Sequence, residues 1–424
     1  MKQVLLYTTI LLLIISCSKN TDVAKLPPAV STTSVSDIKA TEATSGGNIS
    51  TEGSANVTAR GIAWSTNTNP TIELPTKTSD GAGPGSFNST MTGLQPGTTY
   101  HVRAYATSSA GTAYGADISF TTVTHIPKLY VCGTEWTNSL GKQQARVWVD
   151  GAASILSGND ESFAQGMLVT DAGDVYVAGA TKVTQWRATY WKNGTPVYLT
   201  DETKEAGAGS VFVNGSDVYA CGGERNAAGI FVAKYWKNGT PVLLTDGTLE
   251  SAGNSIFVSG NDVYVAGYEK NAAGISVAKY WKNGTATTIG TGGAASSMVV
   301  SGTDVHIAGT FNASSERGWY WKNGTTTDLD NCSGATSLAV SGNDVYIAGY
   351  DGSYNAAYWK NGTRNTLTTD AGGPYTYSIF VANNDIYVAG KTNYNVPCYW
   401  LNGQKTSLSA STDWHNKTTG IVYR

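Results

Sequence analysis

Glu161, Glu205 and Glu250 stand at one matching position in three successive repeats of the chain, and His415 takes that position near its end. Three neighbouring carboxylates could hold a cation or do acid/base work; three solvated glutamates in polar loops would look the same. Aromatic rings are the second candidate. Trp136, Trp414, Tyr354 and Tyr394 fall in irregular segments, with Tyr268, Phe311, Tyr350 and Tyr375 on or beside the same face. Exposed rings stack on sugars or anchor protein partners, and others plug gaps between packed sheets. Catalytic and metal signatures are sparse. Of the four histidines, His101 and His125 lie outside the repeats and His306 replaces a repeat tyrosine. No His, Cys or Asp spacing matches a metal site, so neither a metal nor a cofactor is expected. Cys132 and Cys221 take the alanine position of a repeated "VYVAG", Cys332 is in a loop and Cys398 on a strand. Without a regular cysteine framework they read as small buried thiols, one disulfide pair being left open.

What must position these side chains is the repeat itself. Trp148, Trp191, Trp236, Trp281, Trp321, Trp359 and Trp400 recur with a period of about 40–45 residues. A "DVYVAG"-type segment precedes each tryptophan, and a "SIFVSG"-type segment precedes all but the first of those. Four strand-like segments per period are the signature of β-propeller blades, and the "DVYVAG" strand also resembles bacterial β-propeller repeats of that type. Asn-Gly follows the tryptophan in six repeats and Asp150-Gly151 in the first. A two-residue type I′ hairpin needs positive φ at both central positions, which these residues tolerate best. Triplets such as Asn193-Gly194-Thr195 match a glycosylation sequon but read as turns. The first repeat lacks its opening strand, while the chain ends in "TTGIVYR", which has that strand's pattern. The C-terminal strand is therefore expected to close a seven-bladed ring as the innermost strand of the first blade, removing an exposed edge.

Alternating strand direction sorts the loops. Uniform turns such as "SGND" and "KNGT" share one face, where Lys237 and Lys282 read as side chains that only flank a hairpin. Irregular segments such as "GYEKNAAGIS", "GTFNASSERG" and "GYDGSYNAA" share the other. Scaffold turns repeat because geometry dictates them, so the variable face and the adjacent channel mouth are where binding is expected.

The remainder is organised differently. "MKQVLLYTTILLLIISC" carries one early lysine and an apolar run from Val4 to Ile15, about 18 Å as a helix and too short for a bilayer core of about 30 Å. It reads as a secretion signal over residues 1–17. Its "IISC" ending resembles the lipobox of bacterial lipoproteins, which implies cleavage before Cys17 and lipidation of that cysteine as an anchor. Residues 18–27 suit a flexible tether. Residues 28–123 alternate short strands and turns, as a β-sandwich does. "GLQPGTTYHVRAYATSSAGTAYGADISFTT" resembles the last third of bacterial fibronectin type III-like modules, with Leu94, Pro96 and Tyr100 placed as in a tyrosine corner. The resemblance implies a spacer, with Trp64 in its core.

The expected architecture is thus all-β: a fibronectin type III-like sandwich followed by a seven-bladed β-propeller over residues 128–424, closed by the C-terminal strand. Charged residues make up 14% of the chain, the formal net charge is −3 and no basic run occurs, which argues against nucleic acid as a partner. The expected role is an exported, lipid-anchored binding module for a glycan or protein, monomeric, displayed at the outer membrane or cell surface. Contact with the membrane is expected through the N-terminal lipid alone. An enzyme, either a lyase or a glycoside hydrolase, would need an acidic pair plus a cationic or His partner at the channel mouth, and the sequence shows no such set. A purely structural or adhesive surface protein is the third reading.

Overall fold

The computed structural model describes residues 25–123, 128–312, 316–368, 375–392, 394–413 and 415–424. Cys17 and Trp414, the expected anchor and one expected ring, lie outside them. The chain divides between Ile126 and Pro127 into two compact units, and the described residues form strands and turns with no helix.

In the N-terminal unit, one sheet pairs Ala29–Thr32, Glu42–Thr51 and Gly85–Thr92. The other joins Ala59–Ser65, Thr99–Ser108 and Gly111–Tyr114, with Ile118–Thr121 also paired to Thr99–Ser108. Ile49 and Met91 from the first sheet and Ile62, Trp64 and Val102 from the second share one core. Period-two alternation along "TYHVRAYA" buries Tyr100, Val102 and Ala104. The Tyr100 hydroxyl accepts the Gln95 N–H at 3.0 Å, tying the chain back on itself five residues upstream beside buried Leu94.

The C-terminal unit contains seven four-stranded antiparallel sheets. In sheets two to seven the strands follow chain order, beginning with an innermost strand: Glu161–Val169, Ala206–Asn214, Ser251–Ser259, Gly293–Ser301, Cys332–Ser341 and Tyr375–Ala382. Sheet one holds Leu129–Thr137, Lys142–Val149 and Ala152–Ile155, and its innermost strand is the end of the chain, Lys417–Tyr423, with Ile421 opposite Val131. Each innermost strand contacts the next, and Lys417–Tyr423 contacts those of both sheet seven and sheet two.

Apolar burial follows this order. Seven separate cores lie between consecutive sheets, the last uniting Tyr387 and Ala389 of sheet seven with Val131 and Trp148 of sheet one. The repeated Tyr-Trp pair serves two of them at once, because successive strand residues point to opposite faces. Trp281 of sheet four is 1% exposed in the core shared with sheet three, while Tyr280 packs into the core shared with sheet five. Serine hydroxyls stitch the same interfaces: Ser255, Ser297, Ser337 and Ser378 accept backbone N–H groups of Met298, Leu338, Ile379 and Ile421, each in the next innermost strand.

The turns take the geometry their composition requires. Asp150, Asn193, Asn238, Asn283, Asn323, Asn361 and Asn402 have φ near +50°, and each is followed by a glycine with positive φ. These asparagines also do more than turn. Asn238 Oδ1 accepts the Val218 N–H at 2.9 Å, and its Nδ2 donates to Asp217 at 2.8 Å. Lys237 and Lys282 do not merely flank the hairpin. Lys237 Nζ lies 2.8 Å from Asp217 and 5.3 Å above the Tyr219 ring, and Lys282 repeats this with Asp262 and Tyr264. Asp, Tyr, Lys and Asn of the two motifs thus form one clamp across neighbouring strands, recurring at Asp174–Lys192 and Asp344–Lys360.

Candidate functional site

Every innermost strand carries a β-bulge at the same place. The register with the second strand slips around Gln165, Gly209, Asn254, Ser296, Thr336, Tyr377 and Thr419, with a second slip in sheet six between Cys332 and Gly334. A bulge leaves one residue outside the ladder and re-aims it. All seven line a single cavity of about 410 Å³. The glycine of "VYVAG" belongs to this device. A Cβ at Gly267 would strike the carbonyl oxygen of Ala252, and one at Gly179 that of Phe163, because the bulged strand presses close there. The ring is uncharged, and Gln165, Asn254, Ser296, Thr336 and Thr419 bring amides and hydroxyls to it.

Two residues before each bulge, towards the irregular loops, stand Phe163, Gly207, Ala252, Ala294, Gly334, Tyr375 and Lys417. Four are glycine or alanine; Tyr375, Lys417 and Phe163 depart from the pattern in the consecutive sheets seven, one and two. Tyr375 begins a chain of rings. Its ring meets Tyr377 at 6.4 Å and the edge of Tyr350 at 5.3 Å, and Tyr350 stacks on Tyr354 at 5.7 Å. Tyr354, with φ +60° and 45% exposed, donates its hydroxyl to Glu316 at 3.2 Å. An aromatic path therefore runs from an exposed loop to the cavity wall at Tyr377. Burial raises the Tyr350 hydroxyl to about 12, so it stays a neutral donor.

Two cations sit over this path. Lys391 Nζ lies 5.5 Å from the Tyr375 ring centre and donates to Asn395 at 2.8 Å, and Lys417 Nζ lies 5.8 Å from the Tyr377 ring centre. Both are half-buried. Burial holds both ammonium groups below the usual lysine range, and at Lys417 the charge of Lys391 adds to the effect.

The expected carboxylates are each taken by a cation of their own sheet. Glu161 lies 3.7 Å from Lys182, Glu205 2.7 Å from Arg225 and Glu250 2.8 Å from Lys270. Lys270 holds Glu250 below the usual carboxylate range. Among the described residues no three His, Cys, Asp or Glu are placed to hold a metal ion. Trp136 stacks on His415 at 4.7 Å, and that imidazole is 2.6 Å from Asp413. Tyr394 is 71% exposed. Phe311 is half-buried, its ring stacked on Trp319 at 5.1 Å. Cys132, Cys221, Cys332 and Cys398 are buried free thiols whose pKa burial raises, so none is a poised nucleophile. Sequence reasoning missed Tyr377, Lys391 and Lys417. Their signal was a departure from the repeat: opposite the position two before the bulge, where other sheets carry Thr134, Ala180, Gly223, Tyr268, Thr310 and Tyr350, sheet seven carries Lys391.

A second cavity of about 690 Å³ lies towards the uniform turns. Phe212, Phe257, Phe380 and Met167 make its wall largely apolar, and Phe212 and Phe257 pack on each other at 4.7 Å.

No family model and no curated protein matches the chain. Among solved structures, a chain of a mitotic checkpoint complex is 14% identical with a TM-score of 0.37, over 61% of this chain and 78% of that one. A DUF4784 family protein from Bacteroides caccae is 9% identical with a TM-score of 0.28, over 94% and 99%. The β-xylosidase RS223 is 11% identical with a TM-score of 0.25, over 62% and 86%. These likenesses are too slight to carry a functional argument, and the site must speak for itself.

Proposed function

We propose that the seven sheets are the blades of a β-propeller, preceded by a fibronectin type III-like spacer, and that the mouth on the irregular-loop face binds a glycan or protein ligand. Cyclic contact among the innermost strands supports the propeller reading, and the Tyr100–Gln95 hydrogen bond supports the spacer. The observation that carries the binding reading is the path Tyr354–Tyr350–Tyr375–Tyr377, which leads from an exposed loop into the ring of bulges. Aromatic faces beside amides and hydroxyls suit a polyol with apolar ring faces better than a bond-breaking site. The enzyme reading is weaker because each glutamate expected at the mouth already has its own cation. In this reading the chain is exported and anchored through lipidated Cys17 at the outer membrane or cell surface, and it acts as a monomer. Screening the purified chain against a panel of immobilised glycans tests the proposal. Binding that Tyr377→Ala weakens by about 30-fold, the cost of a typical hot spot of about 2 kcal/mol, is the expected result. A chain that binds no glycan and captures no protein through this face would leave the purely adhesive reading.

A further inference from the structure

Most cations around the mouth have a carboxylate of their own. Lys182 faces Glu161, Arg225 faces Glu205, Lys270 faces Glu250, Lys279 faces Glu269, and Arg364 faces Asp351. Lys391 and Lys417 differ. They come from adjacent sheets, and neither forms an ion pair within the described residues. Each lies over one of two neighbouring tyrosine rings, Tyr375 and Tyr377, themselves 6.4 Å apart. Two like charges that share a half-buried site are a cost to the folded chain, and a bound anion would relieve it. Burial holds both ammonium groups below their ordinary range, consistent with charges that lack a counter-ion.

We infer that this corner of the mouth is an acidic-sugar site. The anion of a uronate or sulfated sugar sits between Lys391 and Lys417, its ring lies on Tyr375 and Tyr377, and the next residue of the oligosaccharide enters the bulge-lined cavity. Three features select a sugar over an acidic peptide. Flat aromatic faces lie directly beside the charges, the cavity wall offers uncharged amides and hydroxyls, and its volume of about 410 Å³ falls within the range of small-ligand sites. The inference rests on the loop-face reading above and adds the charge of the ligand.

The test is isothermal titration of the full chain with oligogalacturonate, a sulfated glucosamine oligomer, a neutral galactose oligomer and poly-glutamate. Wild type is expected to prefer one or both acidic sugars to the neutral one by tenfold or more, and which of them binds separates carboxylate from sulfate. Lys391→Gln and Lys417→Gln should each remove most of that preference, about tenfold, by weakening acidic-sugar binding more than neutral-sugar binding; Lys417→Arg should keep it. Thermal unfolding provides the fold control, since relieving an unpaired half-buried charge should leave Tm unchanged or raise it. Equal binding of acidic and neutral sugars, or a preference that survives both Gln variants, overturns the inference while the binding-module reading stands. Poly-glutamate binding without sugar binding overturns the sugar assignment. Binding of no probe defeats both the inference and the glycan half of the reading beneath it.

Discussion

A tryptophan that recurs once per sheet and is buried each time acts as a wedge between two sheets. Trp281, in the core it shares with Cys221 and Val265, has no room to move without opening that interface. Trp281→Ala should therefore cost about 3–5 kcal/mol, read as a shift of the urea midpoint with little change in slope; a loss under about 1 kcal/mol would mean the interface relaxes around the cavity. The seven tryptophans and their Asn-Gly turns were legible in the sequence because each answers to one local rule, burial or positive φ. Lys417 was not. Its identity is plain in the chain, but its neighbours Tyr377 and Lys391 reach it only through closure of the ring, which brings the end of the chain beside sheet seven. Trp136 was legible as an aromatic off the repeat, whereas its stacking on His415 depends on the same closure.

Strand by strand, the Asp–Lys–Asn clamp makes acid sensitivity predictable. Lys237 and Asn238 hold Asp217 below the usual carboxylate range, and Lys282 and Lys322, with their neighbouring asparagines, do the same for Asp262 and Asp304. A carboxyl depressed in the folded chain binds protons more weakly than in the unfolded chain. It contributes stability that is fully present above the unfolded value of about 3.9 and is lost as pH falls through the folded value. The contribution of these carboxyls to Tm should therefore be constant from pH 7 to about 5 and be lost below about 4, with Asp262→Asn lowering the neutral plateau and shrinking the acid fall. A curve of the same shape in the variant would show that the clamp does not carry it. The clamp was half legible: "DVY" and "KNG" were visible as motifs, but that they meet across a strand pair requires the register Tyr219 opposite Lys237. Deleting Thr418–Arg424 removes most of the innermost strand of sheet one and uncovers Val131 and Cys132. The truncated chain should melt well below the full one or aggregate; melting like wild type would mean that Lys417–Tyr423 does not hold the ring together.

In the proposed reading, the seven-sheet unit, with one irregular and one uniform face, is displayed through an N-terminal anchor. The display half of this account stands on Cys17: Cys17→Ser should leave the precursor uncut by signal peptidase II and unlabelled by fatty acid, and a labelled variant would remove the anchor. Period and turn chemistry made the sheet count legible over residues 128–424, whereas the site was not, because its chemistry lies in exceptions to the repeat rather than in the repeat. In the proposed function, binding belongs to the irregular face. Its most direct measurement is a glycan-panel comparison of wild type, a loop-face variant carrying Tyr354→Ala and Tyr377→Ala, and a turn-face variant carrying Lys237→Ala and Lys282→Ala, each verified as folded by its thermal transition. Glycans bound by wild type should be lost with the loop-face variant and kept with the turn-face one. Loss with the turn-face variant and retention with the loop-face variant would contradict it.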